Sequence, residues 1–265
     1  MLTYYSTSAR EDFWTEHWGG HSVDELLAVA RVSPLTTLIT EALPPEGLVL
    51  EAGCGLGQYV ILLRERGWRA AGVDGSVEAL AACRRVAAVP LAASDLRALA
   101  IRSGTLAAYV SLGVVEHDAE GPDAILAEAR RVLAPGGALL ISVPYLNGVR
   151  QLGAPWIRRR QAALARAGGD FYQYAFSRRE LIAALRGQGF APLAAHPYDP
   201  ARVLRTAARA LRGARRRSAT ERRARARSTA PRRRGWWQAL ARQALYSEPA
   251  LRLLGHMLLV VARRA

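Results

Sequence analysis

Five side chains have the types and spacing to do chemistry. Glu51, Asp74 and Asp95 each follow a short apolar run, and Glu116 and His117 follow a fourth. The first acid opens a turn, "LVLEAGCGLGQY", in which glycines stand at every second position: Gly53, Gly55 and Gly57. Such a turn lets a backbone come very close to a ligand. It is not the dinucleotide fingerprint, because Gln58 stands where that pattern wants a small residue. It is not a phosphate loop either, since the chain has no lysine. An acid at the strand end would repel a phosphate beside it and suits a ligand with a positive group. Asp74 is placed to accept hydrogen bonds from ribose hydroxyls, and Asp95 to hold an amino group of a base. A nucleoside with a cationic tail satisfies all three acids. Read alone, the glycines also fit a plain strand-to-helix turn, and Asp74 also fits a cap for the next helix.

The elements that must position these groups alternate along the chain. "GLVLEAG", "WRAAGVDG", "VPLAAS", "LAAYVSLGVV" and "ALLISVPY" read as strands. Between them "QYVILLRERG" reads as a helix closed by Gly67, "SVEALAACRRVAA" as a helix capped by Ser76, and "DAILAEARRVLAPGG" as a helix stopped by Pro135 and Gly136. This β-α-β alternation predicts a parallel sheet covered on both faces. Ahead of it "REDFWTEHW" and "SVDELLAVARV" read as helices. After it come a helix, "SRRELIAALRGQGF", and strands "FAPLAAHPY" and "HMLLVVARR".

In this order the residues resemble the class I S-adenosylmethionine-dependent methyltransferase family. "VLEAGCGLG" is similar to its first motif, "GVDGS" to its ribose-binding acid and "SDL" to its adenine-side acid; "YVSLGVVEHD" and "EARRVLAPGGALLISVPY" are similar to its fourth and fifth strand segments. The resemblance is close from Leu48 to Tyr145. It implies a Rossmann-like α/β fold: a seven-stranded, mostly parallel sheet with helices on both faces and "HMLLVVARR" as the antiparallel last strand. It implies S-adenosylmethionine as cofactor, held by Glu51, Gly53, Cys54, Gly55, Gly57, Gln58 and Tyr59 on the first turn. Asp74, Gly75 and Ser76 would follow on the second turn, then Asp95 with Leu96, then Ser111 with Leu112. The family's usual acid before the fourth strand is absent, with Ala107 in its place. The expected organisation is an N-terminal helical lid or cap (1–46), a cofactor-binding core (47–200), an arginine-rich insertion with an amphipathic helix (201–254) and the final strand (255–265).

On the acceptor side, either Glu116 or His117 can take a proton from a nucleophile. Equally, His117 can cap or pack, because methyl transfer from a sulfonium needs mainly alignment and desolvation. Trp14 and Trp18 share a helical face, as a lid or as core; Tyr145 and Tyr172 are candidates to line an acceptor pocket or, equally, core residues. The fourth strand ends in "SLGV" rather than the Asn/Asp-Pro-Pro-aromatic motif of amide and exocyclic-amine N-methyltransferases. Cys54 and Cys83 are not placed as nucleophiles, suit neither a disulfide framework nor a zinc site, and fit a reducing cytoplasm. No metal cluster is apparent, so the metal expectation is none.

Charge is segregated. The 37 basic residues are all arginine and give a net charge of +15. Residues 1–200 hold 19 arginines against 20 acids, and residues 201–265 hold 18 against 2, so the excess lies in the C-terminal segment. The N-terminus lacks the pattern of a signal peptide, and no apolar run is long enough to span a bilayer. The expectation is a cytoplasmic enzyme acting on a small, amphiphilic acceptor. The arginines, followed by Trp236 and Trp237 on a helical stripe, would attach it to the anionic inner membrane surface. Two alternatives stay open: a nucleic-acid substrate held through its phosphates, and a non-catalytic cofactor-binding protein with a membrane-docking module.

Overall fold

The computed structural model describes residues 1–7, 18–200 and 243–265. Seven strands form one sheet in the order β4-β3-β2-β5-β6-β9-β8. β2 (Leu48–Ala52), β3 (Arg69–Asp74), β4 (Leu91–Ala93), β5 (Leu106–Leu112) and β6 (Leu133–Pro144) run parallel. β9 (Met257–Arg264) lies antiparallel between β6 and β8 (Phe190–Tyr198). This is the expected Rossmann-like α/β sheet with its antiparallel last strand.

The period of two along each strand sends alternate residues to two separate cores. Val49, Val110 and Leu140 face one side, under helices α1 (Val23–Val32), α2 (Pro34–Ala42), α3 (Gln58–Glu65) and α4 (Val77–Val86). Leu50, Tyr109, Leu139 and Ile141 face the other, under α5 (Asp123–Val132) and α8 (Arg178–Gly187). Local chemistry sets the helix starts. Ser22 accepts from the Glu25 N–H at α1, and Ser76 from the Ala79 N–H at α4. Ser177 and Glu180 close a capping box at α8.

The structure differs from the sequence expectation in three places. α5 ends at Val132, before Pro135 and Gly136, because Leu133 leaves the helix to pair with Leu106. The Pro-Gly-Gly stretch is the irregular start of β6, where the register shifts between Leu106 and Ala108. The expected N-terminal lid is not wholly helical: β1 (Leu2–Ser6) pairs antiparallel with β7 (Asp170–Ala175) in a second, two-stranded sheet. Finally, residues 148–166 fold as α6 (Gly148–Leu152) and α7 (Ala154–Arg166), and α9 (Glu248–Leu254), at the end of the expected insertion, packs on α6, where Gly148 lies against Leu253. The arginine segment to Arg234, with Trp236 and Trp237, lies outside the described residues, as do Trp14 and the rest of the helix expected over 10–18 except Trp18.

Candidate functional site

At the carboxyl ends of the parallel strands lies a cavity of about 680 Å³, where open α/β sheets bind ligands. The glycine turn forms one wall. Gly53 and Gly55 adopt φ +78° and +51°, the left-handed region that favours glycine. A Cβ on Gly55 would run into the indole of Trp18, which lies directly over the turn and also lines the cavity. Trp18 is thus the lid candidate that the structure brings to the site.

Asp74, at the tip of β3, ties the two turns together. One carboxylate oxygen accepts from the Gly55 N–H at 2.7 Å and the other from the Ser76 N–H at 2.8 Å. Its carboxylate also lines the cavity, so it fixes the glycine turn as well as offering acceptors to a ligand. Asp74→Ala should therefore weaken S-adenosylhomocysteine binding by more than the roughly 1–3 kcal/mol of a charged hydrogen bond, and should lower thermal stability too. Asp74→Asn, which keeps one acceptor, should fall between wild type and Ala in both. Calorimetry and thermal melts on the pair check this, and equal losses in Asn and Ala would contradict the double role.

Glu51 closes β2 with 2 % of its surface exposed. One of its oxygens, Oε2, meets no hydrogen-bond partner, and the side chain lines the cavity. Burial pushes its carboxyl up to about 8, with the nearby Asp74 charge adding to the effect and a backbone bond at Val60 opposing it. Gln58 Oε1 is likewise buried without a partner on the same wall. Cys54, Gly75, Ser76, Leu96 and Leu112 join them there.

Other expected residues sit elsewhere. Tyr59 is buried under α2, and Gly57 packs against Cys83 Sγ. Ser111 is fully buried with its hydroxyl unpartnered. None of the three lines the cavity: the Tyr59 and Ser111 side chains are buried, and Gly57 is closed off by Cys83. Tyr145 also belongs to a core: its backbone bridges to Phe176 and bonds His256, and its ring packs into the cluster beneath α8. Asp95 is exposed, at the rim of an adjoining depression. Arg97 grips it through Nε at 3.1 Å and Nη2 at 3.0 Å, and that pairing holds its carboxyl below the usual range.

Glu116 and His117 lie on a 3-10 turn, Val115–His117, just past β5, and both line the cavity. His117 Nδ1 is 2.7 Å from the carbonyl oxygen of Tyr172, and the Tyr172 ring meets the imidazole edge-on at 5.2 Å. A carbonyl only accepts, so Nδ1 carries a proton, and it is the Nε2 position that can gain or lose one. Glu116 is 1 % exposed and its Oε2 is unpartnered; its Oε1 is 4.0 Å from His117 Nε2. Burial pushes its carboxyl up to about 8. Gln173, His256 and Met257 complete this end of the cavity. Sequence reasoning missed them because they reach the site through β7 and the start of β9, whose placements depend on distant pairings.

The geometry agrees with comparisons to known proteins. Residues 50–141 match the profile of a family described as a methyltransferase domain. Malonyl-[acyl-carrier protein] O-methyltransferase of Serratia marcescens is 33 % identical over 113 residues, 42 % of this chain and 44 % of that protein. The chain thus spans less than half the length of the curated relatives it matches. Among solved structures, an S-adenosylmethionine-dependent methyltransferase from Mesorhizobium loti is 18 % identical with a TM-score of 0.57, covering 88 % of this chain and 99 % of that one. Geranyl diphosphate C-methyltransferase from Streptomyces coelicolor A3(2) is 16 % identical with a TM-score of 0.58, covering 100 % of this chain and 91 % of that one. The family's cofactor, S-adenosylmethionine, combines a nucleoside with a cationic amino-acid tail. A buried Glu51 carboxyl with one oxygen unpartnered, in a cavity that Asp74 also lines, fits such a tail. Residues 50–141 thus match a methyltransferase domain, and the fold of the chain is similar to that of solved S-adenosylmethionine-dependent methyltransferases.

Proposed function

We propose that the protein transfers a methyl group from S-adenosylmethionine to a small, amphiphilic acceptor. The observation that carries this reading is the single cavity holding both kinds of chemistry. One end has Glu51, Gln58 and Asp74 for a cationic nucleoside, and the other has His117 and Tyr172 for an acceptor. S-adenosylmethionine supplies a methyl carbon activated by its sulfonium. The chain supplies position, dryness and a base. Glu51 and Gln58 would hold the amino-acid tail, Asp74 the ribose, and Leu96 the base. Trp18 would cover the turn and exclude water. Below about pH 8 burial keeps Glu116 protonated, so at neutral pH the proton of an acceptor hydroxyl or amine passes to His117 Nε2.

Glu51 makes the test specific. Its carboxyl titrates near 8 without ligand, and a cationic tail beside it favours the ionised form. Binding at pH 7 should therefore release a proton, and affinity should rise with pH up to about 8 and then level off. Calorimetry of S-adenosylmethionine in two buffers of different ionisation enthalpy measures this, with Glu51→Gln as the control that releases none. The same shift has a sign for stability. A folded-state value above the unfolded one means that ligand-free stability falls as pH rises from about 4.5 to about 8. Glu51→Gln should therefore melt higher than wild type at pH 9 and bind less tightly. Absence of S-adenosylmethionine binding altogether would sink the proposal.

The amphiphilic part rests on the surface of α6 and α7. Ile157, Gln161 and Leu164 turn inward, with Gln161 Oε1 accepting the Tyr5 N–H at 2.8 Å. Outward stand Leu152 (84 % exposed), Trp156 (64 %) and Val149, with Leu253 from α9. Arg158, Arg159, Arg160 and Arg166 follow on α7, with Arg160 over the Trp156 ring at 5.6 Å, and no acid occurs from residue 145 to 169. Apolar tips among arginines suit an anionic lipid surface. Among the described residues no helix is long and apolar enough to cross a membrane. Vesicles containing phosphatidylglycerol should sediment the protein at low salt, and phosphatidylcholine vesicles should not. Replacing Leu152 and Trp156 with Ser should abolish the binding; retained binding, or salt-sensitive RNA binding in its place, would favour the nucleic-acid alternative.

A further inference from the structure

Glu116 is the buried acid that proton transfer to His117 leaves unused. It is fixed on the 3-10 turn past β5, with 2 % of its side chain exposed. Oε2 meets no hydrogen-bond partner. Oε1 is 4.0 Å from His117 Nε2, beyond hydrogen-bond reach. Tyr198 stands near the carboxyl too, but its hydroxyl pairs with Ser142 at 2.5 Å and burial pushes the phenol up, so it stays neutral. A buried carboxyl oxygen without a partner costs free energy in the empty protein. Because Glu116 lines the cavity, a ligand that pairs with it offsets that cost.

The rest of the wall sets the sign of that ligand. Glu51, Asp74 and Glu78 line the same cavity, and among the described residues no arginine does, in a chain that has 37 of them. The basic side chains on the described wall are two histidines, His117 and His256. Four carboxyls around a cavity of low dielectric attract cations and repel anions. Glu51 and Asp74 are assigned to the cofactor, whereas Glu116 adjoins His117 at the acceptor end. We propose that Glu116 anchors a protonated nitrogen of the acceptor, so that the substrate class is an amphiphilic amine rather than a carboxylate or a phosphate ester. This rests on the methyltransferase reading only in calling the ligand an acceptor; the unpartnered acid and the acidic wall stand independently. An ammonium has no lone pair, so in that state the nitrogen holds the acceptor and takes no methyl group. Burial pushes the Glu116 carboxyl up to about 8 in the empty cavity, and a cation beside it favours the ionised form. Amine binding at pH 7 therefore displaces a proton from Glu116.

The test uses the full chain saturated with S-adenosylhomocysteine, which occupies the Glu51 end. Hexylamine, hexanol and hexanoate, one chain with three head groups, are titrated by calorimetry at pH 7. Hexylamine should bind about tenfold tighter than hexanol or more, the range of a hydrogen bond to a charged group. Hexanoate should bind no tighter than hexanol. Paired buffers of different ionisation enthalpy should show about one proton released with hexylamine and none with hexanol. Glu116→Gln keeps the shape of the side chain and removes its charge. It should bind hexanol as wild type does, bring hexylamine within about twofold of hexanol and release no proton. Unchanged hexanol affinity shows that the variant is folded, and the head-group order and proton release of wild type decide without it. Equal binding of amine and alcohol by wild type, the absence of proton release, or a preference for the amine that survives in Glu116→Gln overturns the inference. Failure of S-adenosylhomocysteine itself to bind would instead overturn the methyltransferase reading.

Discussion

Replacing His117 with Ala should lower turnover by about 10²–10⁴-fold, the range for loss of a general base, while S-adenosylhomocysteine binds nearly as before. The two effects separate because the groups separate. The side chains assigned to the cofactor's tail and ribose, Glu51, Gln58 and Asp74, come from the first two strand tips, whereas His117 belongs to the turn past β5. The imidazole is also a strut, since Nδ1 binds the Tyr172 carbonyl and the two rings touch. Loss of the strut alone would move Tyr172 and raise KM. His117→Asn distinguishes the two roles: its amide N–H can still donate to that carbonyl, but it has no basic nitrogen. The expected result is that Asn restores KM and thermal stability toward wild type and leaves kcat as low as Ala. Recovery of kcat in the Asn variant would show that the ring only positions Tyr172, and that transfer proceeds by alignment without a base.

How legible each part was in the sequence follows from how local its causes are. The tips of β2 and β3 were readable because a short apolar strand, an acid and a glycine follow one another closely in the chain. The antiparallel last strand came through the family resemblance and not from periodicity, because "HMLLVVARR" is apolar on both faces and its neighbours β6 and β8 lie far away in sequence. The β1–β7 pairing was invisible for a related reason. "LTYYS" has no turn leading to a partner, and Leu2 meets Ala175 across nearly the whole core. That pairing puts Tyr172 and Gln173 on the cavity, so the acceptor end was only half seen. Tyr145 was open as a pocket or a core residue, because a tyrosine after a strand tip suits either; the backbone bridge to Phe176 and the packing of its ring put it in the core. Asp95 was readable as an acid after a strand, but its pairing with Arg97 depends on a turn that folds the side chain two residues on back over it.

Gly55→Val should nearly abolish S-adenosylhomocysteine binding while the protein still folds. Two independent effects act at this position. The residue sits at φ +51°, where a β-branched side chain is strained by about 1–3 kcal/mol. A Cβ there would also overlap the Trp18 indole, so either the turn or the lid must move. Moving the turn breaks the 2.7 Å bond from the Gly55 N–H to Asp74 and so loosens the ribose acceptor. Moving the lid opens the cavity to water and leaves the turn in place. The variants Gly55→Ala and Gly55→Ala/Trp18→Gly tell these apart. Ala keeps most of the clash with less of the branching strain, and removing the indole relieves the clash alone. If overlap with Trp18 dominates, the double variant should bind more tightly than Gly55→Ala, even though Trp18→Gly by itself weakens binding. That sign reversal in a double-mutant cycle is the coupling that positions in contact produce. Strictly additive losses would place Trp18 away from the turn in solution and remove it as the cover of the cofactor site.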